Sequence, residues 1–327
     1  MTTVEFSVIT PSVGRPNDLK KCLTSLIKQS YLGNFEIIVV LLEDDLLSID
    51  TVNKIINELK NPGRISIRKV FTPEIGFIRA IKTGFTESKG EILAFCDDDA
   101  IYPTNWLQKL REGFVISNIH GVGGPIKEQG VWMGHTEKQK ISRVTWYGKH
   151  HYKVRSHPNI LKAIEVDSLP GANMAYRRQA LRESFFEMHL QFPGYSPGNE
   201  LFLGWMVRKN GGKLVYDPNC VVEHFSAPWI ESSRKNQTQE LISDLNRVFI
   251  FAKCGNLAQR VCILAMSMAH CLFRKKNLSG YIDEPNSFRR KLLELKLISL
   301  NYLFGRRYFE FSVGEKIAKD FRLASIR

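Results

Sequence analysis

No two of the six cysteines stand in a C-x-x-C spacing. Cys22, Cys96, Cys220, Cys254, Cys262 and Cys271 are scattered, mostly in apolar surroundings. That disfavours a zinc ribbon or a disulfide framework and reads as small buried thiols in a reducing compartment. Also missing is any uninterrupted apolar run near the ~20 residues that a membrane-spanning helix needs. The N-terminus runs straight into Val4–Thr10, strand-like and without the basic flank and long apolar core of a secretory signal, so a cytoplasmic location is expected. No G-x-G-x-x-G follows that first strand, which disfavours a dinucleotide-dependent dehydrogenase. Helix-turn-helix, zinc-finger and RNP patterns are absent too, leaving only charge to suggest a nucleic-acid binder. Internal repeats and low-complexity tracts are lacking.

What is present is a globular composition: 43% hydrophobic and 24% charged residues over 327 positions. That length suits one large unit with an appendage. The formal net charge is +13. An excess of that size points to an anionic partner, whether nucleotide phosphates, nucleic acid or an acidic membrane surface.

Apolar runs and helical periods alternate through the first hundred residues. Val4–Thr10 reads as a strand broken by the turn-rich loop Pro11–Pro16. A helix follows over Leu19–Gln29, with Asn17 or Asp18 as its cap. Phe35–Leu42 is a second strand, trailed by Glu43, Asp44 and Asp45, and Ile49–Leu59 a second helix. Ile65–Phe71, Phe77–Thr86 and Glu91–Cys96 continue as strand, helix, strand, and Trp106–Phe114 reads as a helix. Such alternation predicts an α/β fold with a mostly parallel central sheet and helices on both faces. From Lys127 to Lys162 no period holds, and a stretch that long is either functional or mobile. Pattern returns at Val166–Arg178, interrupted by Pro170-Gly171-Ala172-Asn173. A helix from Gly198 to about Lys209 and short strands at Lys213–Tyr216 and Cys220–Val222 complete it. Beyond Ser226 the composition shifts to apolar helical stretches, Leu241–Lys253, Val261–Phe273 and Phe288–Tyr308, flanked by basic clusters such as Arg274-Lys275-Lys276. This C-terminal α-helical extension, 227–327, has two readings. It lies on an anionic membrane surface, which the basic clustering favours, or its apolar faces pack on the preceding domain.

Three consecutive acids, Asp97-Asp98-Asp99, end the fourth strand. Crowded carboxylates repel one another and are costly to desolvate without a cation or hydrogen bonds. In an extended chain Asp97 and Asp99 point the same way and can offer oxygens to one Mg²⁺ or Mn²⁺, while Asp98 faces elsewhere. The plainer reading is a solvated acidic turn. Ligands of open α/β sheets bind beyond the carboxyl ends of the strands, where Pro11–Pro16, Glu43–Asp45 and Asp97–Asp99 all gather. That favours a site.

An ordered set of segments then resembles the family 2 glycosyltransferases of GT-A (Rossmann-like) fold. It comprises Phe6–Pro11 with Arg15-Pro16, Leu23–Tyr31, Phe35–Val40, Lys89–Asp99, Gly171–Arg178, Leu203–Trp205 with Arg208–Gly211, and Val221–His224, and covers roughly residues 4–226. The resemblance implies a nucleotide-diphosphate sugar donor, a divalent cation and inversion at the anomeric carbon. The basic C-terminal third, beside that resemblance, suggests a glycan or lipid-linked acceptor in cell-surface polysaccharide or glycoconjugate synthesis, on the inner face of the cell membrane. Residues 1–226 would form the glycosyltransferase domain, with a nucleotide-sugar half to about 125 and an acceptor half from about 126. Asp97 and Asp99 match the DxD metal segment, and His224 is implied as a further ligand. The family's Glu-Asp pair before a Leu-containing helix aligns with Asn199-Glu200, making Glu200 the implied base. Thr10, Pro11, Arg15, Glu43, Asp44, Arg79, Lys82 and Asp98 fall where the family meets its donor. Gly171, Ala172, Asn173 and Asn199 fall where it holds sugar and acceptor, and Trp132 is a candidate to stack on a sugar face. Trp146 is a further stacking candidate; Trp106 reads as core. Two departures, Asn199-Glu200 and the late acid after strand two, leave a second reading: a catalytically impaired protein that binds nucleotide sugars.

Overall fold

A computed structural model describes residues 4–59, 63–73, 75–187, 197–226 and 237–273, with 295–296 and 298–299. β1 (Phe6–Pro11) and β2 (Phe35–Leu42) are apolar on both faces, as central parallel strands must be. Between them lies α1 (Pro16–Ile27), which buries Leu19, Cys22, Leu23 and Leu26. Pro16 opens α1 at a position where its missing N–H costs nothing, with Arg15 before it, so Asn17 and Asp18 sit in the first turn and neither is the cap. α2 (Leu46–Glu58) is capped by Asp45, whose side chain accepts from the Ser48 N–H. β3 (Ile65–Thr72), α3 (Phe77–Glu87) and β4 (Ile92–Phe95) complete the first half.

The second half begins with β5 (Ala100–Ile101), α4 (Trp106–Gly113) and β6 (Ile119–Gly123). Where the sequence shows no period, the chain makes small strands: β7 (Ile126–Glu128), β8 (His135–Thr136), β9 (Ile141–Val144), β10 (His150–Tyr152) and β11 (His157–Pro158). Pieces of two to four residues are too short to print an alternation. β12 (Ile164–Val166), β13 (Met174–Arg177), α5 (Glu183–Glu187), α6 (Asn199–Lys209), β14 (Lys213–Tyr216) and β15 (Val222–His224) follow, then α7 (Gln237–Cys254) and α8 (Leu257–Phe273). The last strand therefore starts at Val222 and includes His224, because Cys220 is held in a turn by the Asp217 carbonyl.

One eight-stranded sheet runs β12-β14-β6-β13-β4-β1-β2-β3. Strands β1 to β4, β6 and β14 share one direction, and β12 and β13 oppose it, so the sheet is mostly parallel. Successive residues feed opposite cores. Val8, Ile37 and Val39 pack under α1, α2 and α4, while Ile9, Ile38 and Val40 pack with α3, β13 and α6. Gly84 lets α3 settle on the sheet, since a Cβ there would overlap Ile9. A β5-β15-β7 sheet stands beside the carboxyl ends of the main strands.

Residues of α7 and α8 join α6 in a third apolar cluster with Leu201, Phe202, Trp205, Val248–Phe251 and Ile263. Ring centroids are 5.8 Å apart for Phe202–Phe249 and 4.8 Å for Trp205–Phe251. The inner face of α7 thus packs on the preceding domain. Among the described residues no helix is long and apolar enough to cross a membrane. The basic clusters after Phe273, and the stretch Phe288–Tyr308 apart from four residues, lie outside the described residues. Cys22, Cys96, Cys220, Cys254 and Cys262 are free thiols, and burial pushes the first three well above their usual pKa.

Candidate active site at the carboxyl ends of the strands

After β4 the chain does not stay extended. The Ala100 N–H bonds back to the Asp97 carbonyl at 3.3 Å, closing a turn over Asp98 and Asp99. The Tyr102 hydroxyl braces it, accepting from the Asp97 N–H at 3.0 Å and donating to the Ala172 carbonyl at 3.1 Å. The turn still separates the three acids. Asp98 takes the Ser12 hydroxyl at 2.6 Å and the Arg15 guanidinium at 3.1 Å. Asp97 and Asp99 face His224, whose Nε2 lies 3.5 and 3.0 Å from their carboxylates.

Two strand registers make that meeting possible. β15 pairs antiparallel with β5, setting His224 opposite Ala100, one residue past the acids. The Phe225 N–H donates to the Asp99 carbonyl at 2.8 Å and locks the register. On its other side β15 runs parallel to β7, setting His224 opposite Glu128. Glu128 receives His224 Nδ1 at 3.3 Å, the Ser226 N–H at 3.2 Å and Arg155 Nη1 at 3.1 Å. Burial opposes charge on Glu128, yet these donors hold its carboxyl below the ordinary range. Burial likewise opposes charge on His224, but hydrogen bonds to Asp97 and Asp99 outweigh it and raise its pKa to about 10.

One ligand atom each from Asp97, Asp99 and His224 lie within 4.8 Å of one another. Two carboxylate oxygens and an imidazole nitrogen in a partly open, anionic corner suit a divalent cation such as Mn²⁺ or Mg²⁺ that keeps positions for water or phosphate oxygens. The residues fit such a cation.

A cavity of about 490 Å³ opens beside this corner, within the range of small-molecule sites. Pro11, Ser12, Arg15, Asp97, Asp98 and His224 form one wall, and Val40, Leu42, Ile75, Gly76, Phe77 and Ala80 an apolar one. Gly171, Asn199 and Glu200 line it too, with His150, Tyr152 and Arg155 from the stretch without periodicity. Gly171 lets Glu200 close in, since a Cβ there would stand 2.8 Å from Glu200 Oε1. Burial, with a contribution from the Asp97 charge, raises the Glu200 pKa to about 7. Burial also lifts Asp98 to about 7, against the pull of Arg15 and Ser12. Asn199 is 3% exposed, and its Nδ2 has no hydrogen-bond partner among the described residues.

Other residues singled out in the sequence stand apart from the cavity. Thr10 is fully buried behind it. Glu43 and Asp44 are exposed beyond its rim, while Asp45 holds the Pro11–Pro16 loop by accepting from the Gly14 N–H at 2.7 Å. Arg79 is not on the lining, and Lys82 pairs with Glu183 at 3.3 Å. Ala172 is buried at its back. Asn173 is a staple: its amide accepts from Trp106 Nε1 and donates to the Pro125 and Cys220 carbonyls. Trp106 is core, Trp132 lies under Lys127 away from the cavity, and Trp146 is 70% exposed. Tyr152, His150, Glu128 and Arg155 escaped the sequence reading, since the first three sit on strands too short for a period and Arg155 in the turn after one. The only signal was the aperiodic length of 127–162.

The family described as Glycosyl transferase family 2 matches residues 7–185, more than half of the chain. Over 119 residues the chain is 28% identical to an uncharacterized glycosyltransferase of Nostoc sp. (strain PCC 7120), a match spanning 36% of this chain and 35% of that relative's length. Among solved structures it is similar to S. aureus TarS 1-349 (TM-score 0.56, 13% identity, 98% of this chain and 90% of that one). It is similar also to GalNAc-T7 with UDP, GalNAc and Mn²⁺ (0.58, 17%, 98% and 58%). A third is the mannosyltransferase PcManGT from Pyrobaculum calidifontis in complex with GDP-Man and Mn²⁺ (0.53, 14%, 93% and 88%). At such identities the structural likeness shows the GT-A fold alone, but the family match, the fold and the acidic corner agree, and the chain belongs to glycosyl transferase family 2.

Proposed function

We propose that the protein is a metal-dependent inverting glycosyltransferase. It moves a hexose from a nucleotide-diphosphate sugar to a hydroxyl of a glycan or lipid-linked acceptor, in cell-surface polysaccharide or glycoconjugate synthesis. The observation that carries the reading is one cavity flanked by the Asp97-Asp99-His224 corner and by Glu200. Relatives of the fold bind UDP-GlcNAc or GDP-Man, some with Mn²⁺.

A divalent cation at the corner would serve as a Lewis acid that neutralises charge on the departing diphosphate. Asp97, Asp99 and His224 would hold it; Arg15, bonded to Asp98 and Asp99, lines the cavity and would meet the phosphates. The apolar wall of Val40, Leu42 and Phe77 accepts the nucleoside, with Pro11 below it. Glu200 removes the proton from the acceptor hydroxyl as its oxygen attacks the anomeric carbon on the face opposite the leaving diphosphate. The bond from that carbon to the diphosphate oxygen breaks, and the new linkage has inverted configuration. A carboxylate poised near neutral pH is suited to that proton transfer. In this reading the chain to about residue 125 handles the donor and the part from about 126 to 226 the acceptor, with the basic C-terminal region resting on the cytoplasmic face of the membrane.

Release of nucleoside diphosphate, assayed with Mn²⁺ across a donor panel, tests the reaction. Asp99→Ala is expected to abolish it; equal activity in that variant and the wild type would overturn the assignment. Asn199-Glu200 in place of the family pair prompts one competing reading, a nucleotide-sugar binder without turnover. Calorimetric donor binding with no diphosphate release would favour it.

A further inference from the structure

We infer that Glu128 is a positioning residue for the cation site: it holds the His224 imidazole so that Nε2 faces Asp97 and Asp99. This rests on the reading of that corner as a cation site. Both Glu128 carboxylate oxygens lie 3.3 Å from His224 Nδ1, so a proton kept on Nδ1 leaves the Nε2 lone pair for a ligand. The arrangement is built into the backbone, because β7 and β15 pair in a register that sets Glu128 beside His224. Glu128 is itself fixed on two further sides, by the Ser226 N–H at 3.2 Å and by Arg155 at 3.1 Å. Ser226 Oγ also reaches Nδ1, at 3.0 Å, but a neutral hydroxyl that can donate as well as accept does not choose the imidazole's tautomer. A carboxylate behind a metal-binding imidazole fixes its ring and raises its basicity, and losing it commonly weakens metal binding by roughly 10- to 100-fold. Arg155 also lines the cavity. Through Glu128 the stretch without periodicity therefore reaches the cation site.

The experiment titrates the full-length protein with Mn²⁺ alone and reads free Mn²⁺ by electron paramagnetic resonance, with ¹⁴N modulation of the bound ion as a second readout. Wild type should show ¹⁴N coupling, and His224→Ala should lose it. Glu128→Ala should weaken Mn²⁺ binding about 10- to 100-fold and diminish the coupling. Glu128→Gln, which still accepts a hydrogen bond, should fall between, and Ser226→Ala should stay within a few fold of wild type. Glu128→Gln also serves if the alanine variant does not fold, because its fold must be intact for its affinity to be read. Wild-type affinity and coupling in both Glu128 variants would overturn the inference while leaving the cation site standing. A Ser226→Ala loss larger than that of Glu128→Ala would overturn it too. Absence of Mn²⁺ binding by the wild type would overturn both the inference and the reading beneath it.

Discussion

At the scale of single residues, one carboxylate on the cavity is held uncomfortably. Glu200 sits in the first turn of α6, where the helix dipole favours an anion, yet burial and the facing Asp97 raise its pKa to about 7. If it is the base, activity should rise with pH through a midpoint near 7, and Glu200→Gln should cost about 10²- to 10⁴-fold in turnover, read from initial rates. The same shift has a thermodynamic sign. The folded-state pKa lies above that of the unfolded chain, so ionisation costs native stability as pH rises through that interval. Below about pH 4 the carboxyl is protonated in both states and the cost vanishes. Glu200→Gln should therefore raise the thermal midpoint more at pH 8 than at pH 5, measured without metal by calorimetry. An equal shift at both values would place the carboxylate in water.

Elements set the distances between those residues. α3 must lie close to β1 and β2 to bring Gly76, Phe77 and Ala80 to the cavity, and Gly84 permits it. Gly84→Val should cost roughly 1–3 kcal/mol by overpacking against Ile9 and Val40, seen as a lower denaturation midpoint in urea. At the opposite end of the sheet, buried Glu36 collects the Ser7 hydroxyl and the Lys89 N–H, both at 2.6 Å, and a forked pair of bonds from Arg68. That network ties β1, β2 and β3 to the turn before β4. Glu36→Ala strands those donors and should cost about 1–3 kcal/mol in the same experiment. These costs should leave Mn²⁺ affinity unchanged in the folded fraction, since neither residue approaches the corner.

For the whole molecule, the net charge of +13 and the packing of α7 pull the C-terminal region towards different roles. Val248–Phe251 are buried against α6, so that face is already used. Leu257, Val261 and Met266 of α8 remain exposed. Cosedimentation with vesicles should show binding to anionic but not zwitterionic lipid, weakening as salt rises from 0.05 to about 0.5 M as electrostatic attraction is screened. Truncation after Phe273, which removes the basic clusters, should abolish it. Equal binding by the truncated chain would assign the attraction to the residues up to Phe273.

How much was legible beforehand follows from the range of each interaction. Strands β1, β2 and β14 and helices α1 to α4 announced themselves because periodicity and turn residues are local, and the acids after β4 stood out for a local reason too. Residue order alone also carried the family, and with it Asp97, Asp99, His224 and Glu200 as a set. Only the tertiary structure decided how they meet. The three acids lie in a turn and not an extended segment, and pairing of β15 with β5 and β7 brings His224 to them with Glu128 behind it. It likewise separated Glu43, Asp44 and Trp132 from the cavity and drew in Tyr152 and Arg155. A run of side chains records which segments will be buried. It does not record register between strands about 100 residues apart, because that is a property of their hydrogen bonds to each other and of neither strand alone.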